Sequence, residues 1–306
     1  ALRCLHQRMH LRPAAVPLGT AGRDRRGHRA LVAHTVARAR DRGLPAVALT
    51  FEHQSGEGTP PMPGGRPNYM IGGAIEYGAR TGIWNVLELL DKLNVKATFM
   101  VCGATAQKYP DSIKAAHKAG HEIAGMSFSF DRVRTMSPDR ERSVVVQTAK
   151  ALRDVCGAEI KGWRCPDYRV SDQTLDVLSE QGLAWDSSYL NDDYPCLFDC
   201  AGGRMIELPF TTSTADKTFI GYPYPQRGGP QSLFDVWNSE YEVLHREGGS
   251  APRYMMLSLQ TWAIGRPAPL AALREFIERV KRDNDSQFTR CAEIAGWCNT
   301  RVGKGN

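Results

Sequence analysis

No run in the 306-residue sequence stays apolar for the roughly 18 residues that a membrane-spanning helix needs, so no membrane partner is expected. Eight cysteines are present, yet no two stand in C-x-x-C spacing. Cys196 and Cys200 are four apart in a stretch that reads as a loop, and Cys291 and Cys298 bracket a short helix. A structural zinc site needs four closely paired ligands, which this spacing does not offer. Scattered thiols without a secretory apolar segment point to a reducing, cytoplasmic setting. No period of 20–50 residues repeats. No motif of a nucleic-acid module is recognisable either, so no nucleic-acid partner is expected.

The charge that could suggest otherwise is unevenly placed. Of the formal net charge of +6, residues 1–45 carry +8, from ten arginines and two aspartates, and the remainder carries −2. The basicity therefore belongs to an N-terminal arm, 1–45, read as solvated or disordered. The arm has no lysine and few acids, a composition like that of a transit peptide. A helix over 30–42 is the one element it could form. The nearly neutral body, 46–306, is long enough to bury a sizeable core as one α/β domain.

Within that body, short β-branched or apolar runs alternate with amphipathic helices, the pattern of an α/β fold. Strands are predicted at 46–51, 97–102, 122–125, 160–163, 184–186, 205–208, 255–259 and 288–291. Ile83, Val86, Leu87, Leu90 and Leu93 recur at helical spacing. Ser137-Pro-Asp is a helix start, with Ser as N-cap and Pro in the first turn, and Gly157 is the stop. Further helices are expected at 111–119, 171–182, 233–247 and 267–283. Strand then helix, repeated seven or eight times, fits a closed or partly closed parallel α/β barrel. In such barrels the site lies where the strands end, so strand-end residues are the candidates.

The first strand ends Thr50-Phe51-Glu52-His53-Gln54, and a long Gly/Pro-rich loop follows it over 55–68. Loops of that length are often lids, and Glu57 and Arg66 on this one could reach a ligand. The next strand reads Ala97-Thr-Phe-Met, then come Gly120-His-Glu-Ile-Ala124 and Arg164-Cys-Pro166. In this order the motifs resemble those of the polysaccharide deacetylase (NodB-type) superfamily. Glu76-Tyr-Gly-Ala-Arg-Thr-Gly82, Tyr189-Leu-Asn-Asp-Asp-Tyr194 and Ile264-Gly-Arg-Pro267 resemble its long-loop branch, which includes purine-catabolic allantoinases and peptidoglycan-deacetylase-like proteins.

The resemblance implies a distorted (β/α) barrel of about seven strands, with a base carboxylate at the end of the first strand, falling here on Glu52, and a metal aspartate falling near Gln54. It implies a His-x-x-x-His pair for zinc, but those positions hold Met126 and Phe130. It also implies a late Leu-His whose imidazole protonates the leaving amine, and here Ser258-Leu259-Gln260 stands instead. A thioether and a phenyl ring do not replace imidazole as zinc ligands. No metal and no other cofactor is therefore expected. His121 belongs to a shared motif and is read as structural.

On this reading Glu52 is the general base, and Arg164 is its orienting partner through a bidentate fork. His53 is a second acid/base candidate, although neighbours on a strand face opposite ways. Asp186 ends a strand and is expected to point toward the mouth, whereas Asp192 and Asp193 read as loop caps. Gln260 could donate to an oxyanion. Asp167, Trp262, Met126 and Phe130 complete the expected substrate-contacting set. Three functions stay open. The first is metal-independent hydrolysis of a C–N bond in a small amide, imide or ureide. The second is non-hydrolytic acid–base chemistry, such as isomerisation or cyclisation. The third is a ligand-binding barrel without catalysis. In each, the partner is a small molecule, and self-association into a homo-oligomer is left open.

Overall fold

The computed structural model describes residues 33–35, 46–220, 228–248, 253–283 and 286–302. Its sheet begins, for the body, with β2 (Ala46–His53), where alternation decides which way each residue faces. Val47, Leu49 and Phe51 face a shell of helices, while Ala48 faces the opposite, inner cluster. Thr50 and Glu52, in step with Ala48, therefore also face inward. The same split holds on β3 (Thr98–Cys102) and β4 (Glu122–Ser127), where Met100, Cys102, Ala124 and Met126 point inward.

Next along the sheet come β5 (Gly162–Trp163) and β6 (Trp185–Asp186). They are followed by β8 (Gly203–Glu207), while β9 (Tyr254–Gln260) pairs with β2 along the whole of Ala46–Glu52. These seven strands are mutually parallel. They form the expected distorted barrel wall. Among the described residues, three further strands bring the sheet to ten. β10 (Gln287–Phe288) runs parallel to the start of β2. β7 (Cys196–Cys200) is antiparallel to β8, and β1 (Ala33–Thr35) is antiparallel to β7.

Two of these differ from the sequence reading. The stretch containing Cys196 and Cys200, read as a loop, is a strand. Ala33–Thr35, inside the segment considered for a helix, is also a strand; the rest of 1–45 lies outside the described residues. In both cases pairing with a neighbouring strand supplies the hydrogen bonds that local sequence does not advertise.

The helices α1 (Tyr69–Tyr77) and α2 (Ile83–Lys92) are joined by a π-helical turn at Gly78–Gly82. α3 (Gly103–Lys108) and α4 (Pro110–Lys118) follow β3. α5 (Pro138–Cys156) starts as predicted, with Ser137 accepting from Arg140 N, and ends at Gly157 with φ 70°. α6 (Thr174–Glu180), α7 (Asp216–Phe219), α8 (Pro230–Gly248), α9 (Thr261–Ile264), α10 (Pro267–Arg282) and α11 (Cys291–Val302) complete the set. α11 packs Cys291, Ile294, Ala295 and Cys298 into the inner cluster. Its first turn is tied to strand starts, since Cys291 N donates to Thr98 Oγ1 and Ala292 N to Glu122 Oε2. The helix plugs the bottom of the barrel and leaves chemistry to the other end. Among the described residues, no helix is long and apolar enough to cross a membrane.

Candidate active site

Glu52 stands at the inner, C-terminal end of β2 and is 1% exposed. Its Oε2 accepts from Gln260 Nε2 at 2.5 Å, and its Oε1 accepts from Ser258 Oγ at 3.2 Å. Both partners come from β9, the neighbouring strand, where Glu52 and Gln260 lie in register. Trp262 Nε1 donates to Gln260 Oε1 at 3.2 Å. That contact fixes the amide orientation and aims its NH2 at Glu52.

Arg164, directly after β5, is fully buried, and its Nη1 lies 3.7 Å from Glu52 Oε1. The expected bidentate fork is not made. The guanidinium donates instead from Nη1 to Thr50 Oγ1 (2.9 Å) and Ser258 Oγ (3.2 Å), from Nε to Ser187 O (2.9 Å), and from Nη2 to Ser187 Oγ (2.8 Å). It also stacks 4.4 Å from the Phe210 ring centre. Arg164 thus places its charge beside Glu52 and organises the hydroxyls around it, rather than clamping the carboxylate.

Tyr168 enters from the turn after Arg164. Asp167 and Tyr168 both have left-handed backbones, with φ 51° and 59°, an uncommon and costly state for non-glycine residues. The turn brings the Tyr168 hydroxyl to 3.3 Å from Ser258 Oγ. Burial pushes that phenol well above its ordinary range, with the nearby Glu52 charge adding to the shift. Asp167 faces Lys217 Nζ at 3.4 Å and Arg132 at 3.5 Å, and Lys217 also lies over the Tyr168 ring. Behind Gln260 stands Asp216, fully buried, whose Oδ2 accepts from Gln260 N at 2.8 Å. Its Oδ1 has no hydrogen-bond partner, and burial raises its carboxyl well above the usual range.

Other expected residues fall elsewhere. His53 lies on the outer face of β2. Its Nδ1 meets Thr261 Oγ1 at 3.0 Å, and burial pushes its pKa down to about 3, so it is neutral and turned away from Glu52. Asp186 does not point into the mouth: Trp185 takes the inward position, and Asp186 pairs outward with Glu207 across β6 and β8. Gln260 is bound to Glu52, so its amide is engaged rather than awaiting an oxyanion. Trp262 is nearly buried under the π turn, where a Cβ on Gly78 would come within 2.7 Å of Trp262 N. That close approach demands glycine, and Trp262 is only 9% exposed.

The loop 55–68 lies on the mouth side. A Cβ on Gly58 would meet the Phe130 ring at 2.7 Å. Glu57 accepts from Ser55 N and Oγ, and from Thr105 Oγ1 at 2.7 Å. Arg66 is exposed. A groove of about 360 Å³ runs between this loop and α1, lined among others by Thr59, Asn68, Tyr69, Glu76 and Lys108. Glu52 and Arg164 do not line it, so it is separate from the strand-end cluster.

The residues at the family's zinc positions do not fit the metal. Met126 is fully buried in the inner apolar cluster, and Phe130 packs against that cluster. Among the described residues, no three His, Cys, Asp or Glu side chains are grouped to hold an ion.

A wall of parallel strands thus carries a buried carboxylate and a buried guanidinium at its strand ends. Residues 40–185, just under half of the chain, match the polysaccharide deacetylase family model. It is 24% identical over 226 residues to a Schizosaccharomyces pombe protein named for the same family, covering 69% of this chain and 70% of that one. With the peptidoglycan deacetylase of Helicobacter pylori it shares 21% identity over 140 residues, 46% of this chain and 48% of the relative. Among solved structures, PuuE allantoinase superposes with a TM-score of 0.78 at 26% identity, covering 86% of this chain and 93% of that one.

Sequence reasoning missed Thr50, Tyr168, Ser187, Asp216 and Ser258. Period-two alternation from Glu52 and Gln260 would have found Thr50 and Ser258. The strand-end rule, applied after β8, would have found Asp216.

Proposed function

We propose that the protein hydrolyses a C–N bond of a small amide, imide or ureide, with Glu52 as general base and without a zinc ion held at the family's ligand positions. The observation that carries this reading is the buried cluster of Glu52, Ser258, Gln260 and Arg164 at the strand ends, retained while the imidazole positions are filled by Met126 and Phe130. Glu52 takes the proton from the attacking water. The Arg164 charge stabilises negative charge beside it. Gln260 has no proton to give a departing amine, but Tyr168 does, and its hydroxyl is linked to Glu52 through Ser258. Met126 and Phe130 make the wall apolar, which suits a small substrate with an apolar face. The seven described cysteines are free, which supports a reducing, cytoplasmic setting.

The test is product analysis on a panel of N-acetyl compounds, imides and ureides, with and without a chelator. The expected result is release of acid and amine at a rate the chelator leaves unchanged. An isomer of unchanged mass, or stoichiometric zinc whose removal abolishes turnover, overturns the reading.

A further inference from the structure

Asp186 and Glu207 are Cα partners on the parallel strands β6 and β8, and both are fully buried. Since Trp185 and Ile206 point inward, the two carboxyls point outward together, about one strand spacing apart (~4.8 Å). Asp186 uses both oxygens on the next turn: Oδ1 accepts from Ser188 Oγ at 2.8 Å and Oδ2 from Ser188 N at 3.1 Å. Glu207 Oε1 accepts from Tyr189 N at 3.1 Å, while its Oε2 has no conventional donor. Among the described residues no lysine or arginine forms an ion pair with either carboxyl. The titratable groups coupled to the pair through space are thiols and a phenol: Asp186 acts on Cys165 after β5 and on Cys200 on β7, Glu207 acts on Tyr254 on β9, and Cys196 on β7 acts on Glu207. Burial pushes the titrations of Cys165, Cys200 and Tyr254 up, so those groups are neutral at ordinary pH. Two buried carboxylates without a cation cannot both be charged at acceptable cost.

The turn they hold is the seat of Arg164. Ser187 accepts from the guanidinium at both its backbone oxygen and its hydroxyl, and Ser188 Oγ accepts from Cys165 N, next to Arg164. We propose that Asp186 and Glu207 share one proton, and that this proton positions Arg164 by locking the Ser187–Ser188 turn. Glu207 donates it and Asp186 receives it. The two are positioning residues, and the functional half of this inference rests on Arg164 serving Glu52.

Burial raises both carboxyls, and the Asp186 charge raises Glu207 further. The sign for stability follows. The folded pair keeps a proton that an unfolded glutamate releases near pH ~4.3. Its contribution is therefore complete below that pH and declines as pH rises, until the folded pair itself ionises.

Glu207→Gln tests this without turnover, because a Gln amide donates to Asp186 and accepts from Tyr189 but cannot titrate. Above about pH 5 the wild-type folding equilibrium should fall relative to the variant by about tenfold per pH unit, until the folded pair itself ionises. Infrared spectra at pH 7 should show one protonated-carboxyl band in the wild type that the variant lacks. The Arg164 Nε–H resonance, assigned by its loss in Arg164→Lys, should move with alkaline titration in the wild type and stay fixed in Glu207→Gln. Parallel stability curves with no band lost would overturn the shared proton. A resonance that stays still in both proteins would overturn the link to Arg164. Neither outcome bears on whether a C–N bond is hydrolysed.

Discussion

A thioether and a phenyl ring, which are not zinc ligands, stand where the family resemblance implies two imidazoles, while Glu52 keeps its hydrogen-bonded surroundings. Arg164 shows how much those surroundings depend on one side chain. It reaches Thr50 on β2, Ser258 on β9 and Ser187 in the turn after β6, and it packs on Phe210. Arg164→Lys keeps the charge but loses the planar fork, and it strands buried acceptors. It should cost about 3–5 kcal/mol of stability, read from urea unfolding. Destabilisation under about 1 kcal/mol would mean that the guanidinium contacts are incidental. Glu52 and Arg164 were legible because both end strands within recognisable motifs. The fork was misjudged because the guanidinium's other acceptors lie 23 to 114 positions away in sequence, which no local pattern reveals.

At the scale of elements, the long helices were legible from caps and spacing, and α5 begins and ends where Ser137 and Gly157 place it. β7 was not, because Pro195 and Asp199 read as turn residues and its partner β8 lies beyond a tight turn. The short strands β5 and β6 owe their seam to one glycine. A Cβ on Gly162 would fall 1.9 Å from the Trp185 ring. Gly162→Ala should therefore force Trp185 aside, costing at least about 1–3 kcal/mol and loosening the strand that leads into Arg164. Thermal unfolding and near-UV circular dichroism check this, and an unchanged Trp signal would contradict it.

Across the whole molecule, seven parallel strands make the wall, α11 closes its bottom, and the strand ends carry the polar cluster. The wall starts at Ala46, and the only described part of the basic arm is β1, an edge strand paired to β7. Removing residues 1–45 should leave a folded protein of wild-type turnover, followed by circular dichroism and product formation; unfolding would make the arm part of the domain. The alternation of strands and helices made this architecture readable from sequence. The pairing of Asp186 with Glu207 was hidden, because a strand of two residues gives alternation nothing to establish. The claim on which the rest turns is that Glu52 is the base. The direct measurement is turnover by Glu52→Gln beside a binding measurement on the same substrate. The variant should bind as the wild type does and react about 10²–10⁴-fold more slowly. Turnover at the wild-type rate would contradict the account.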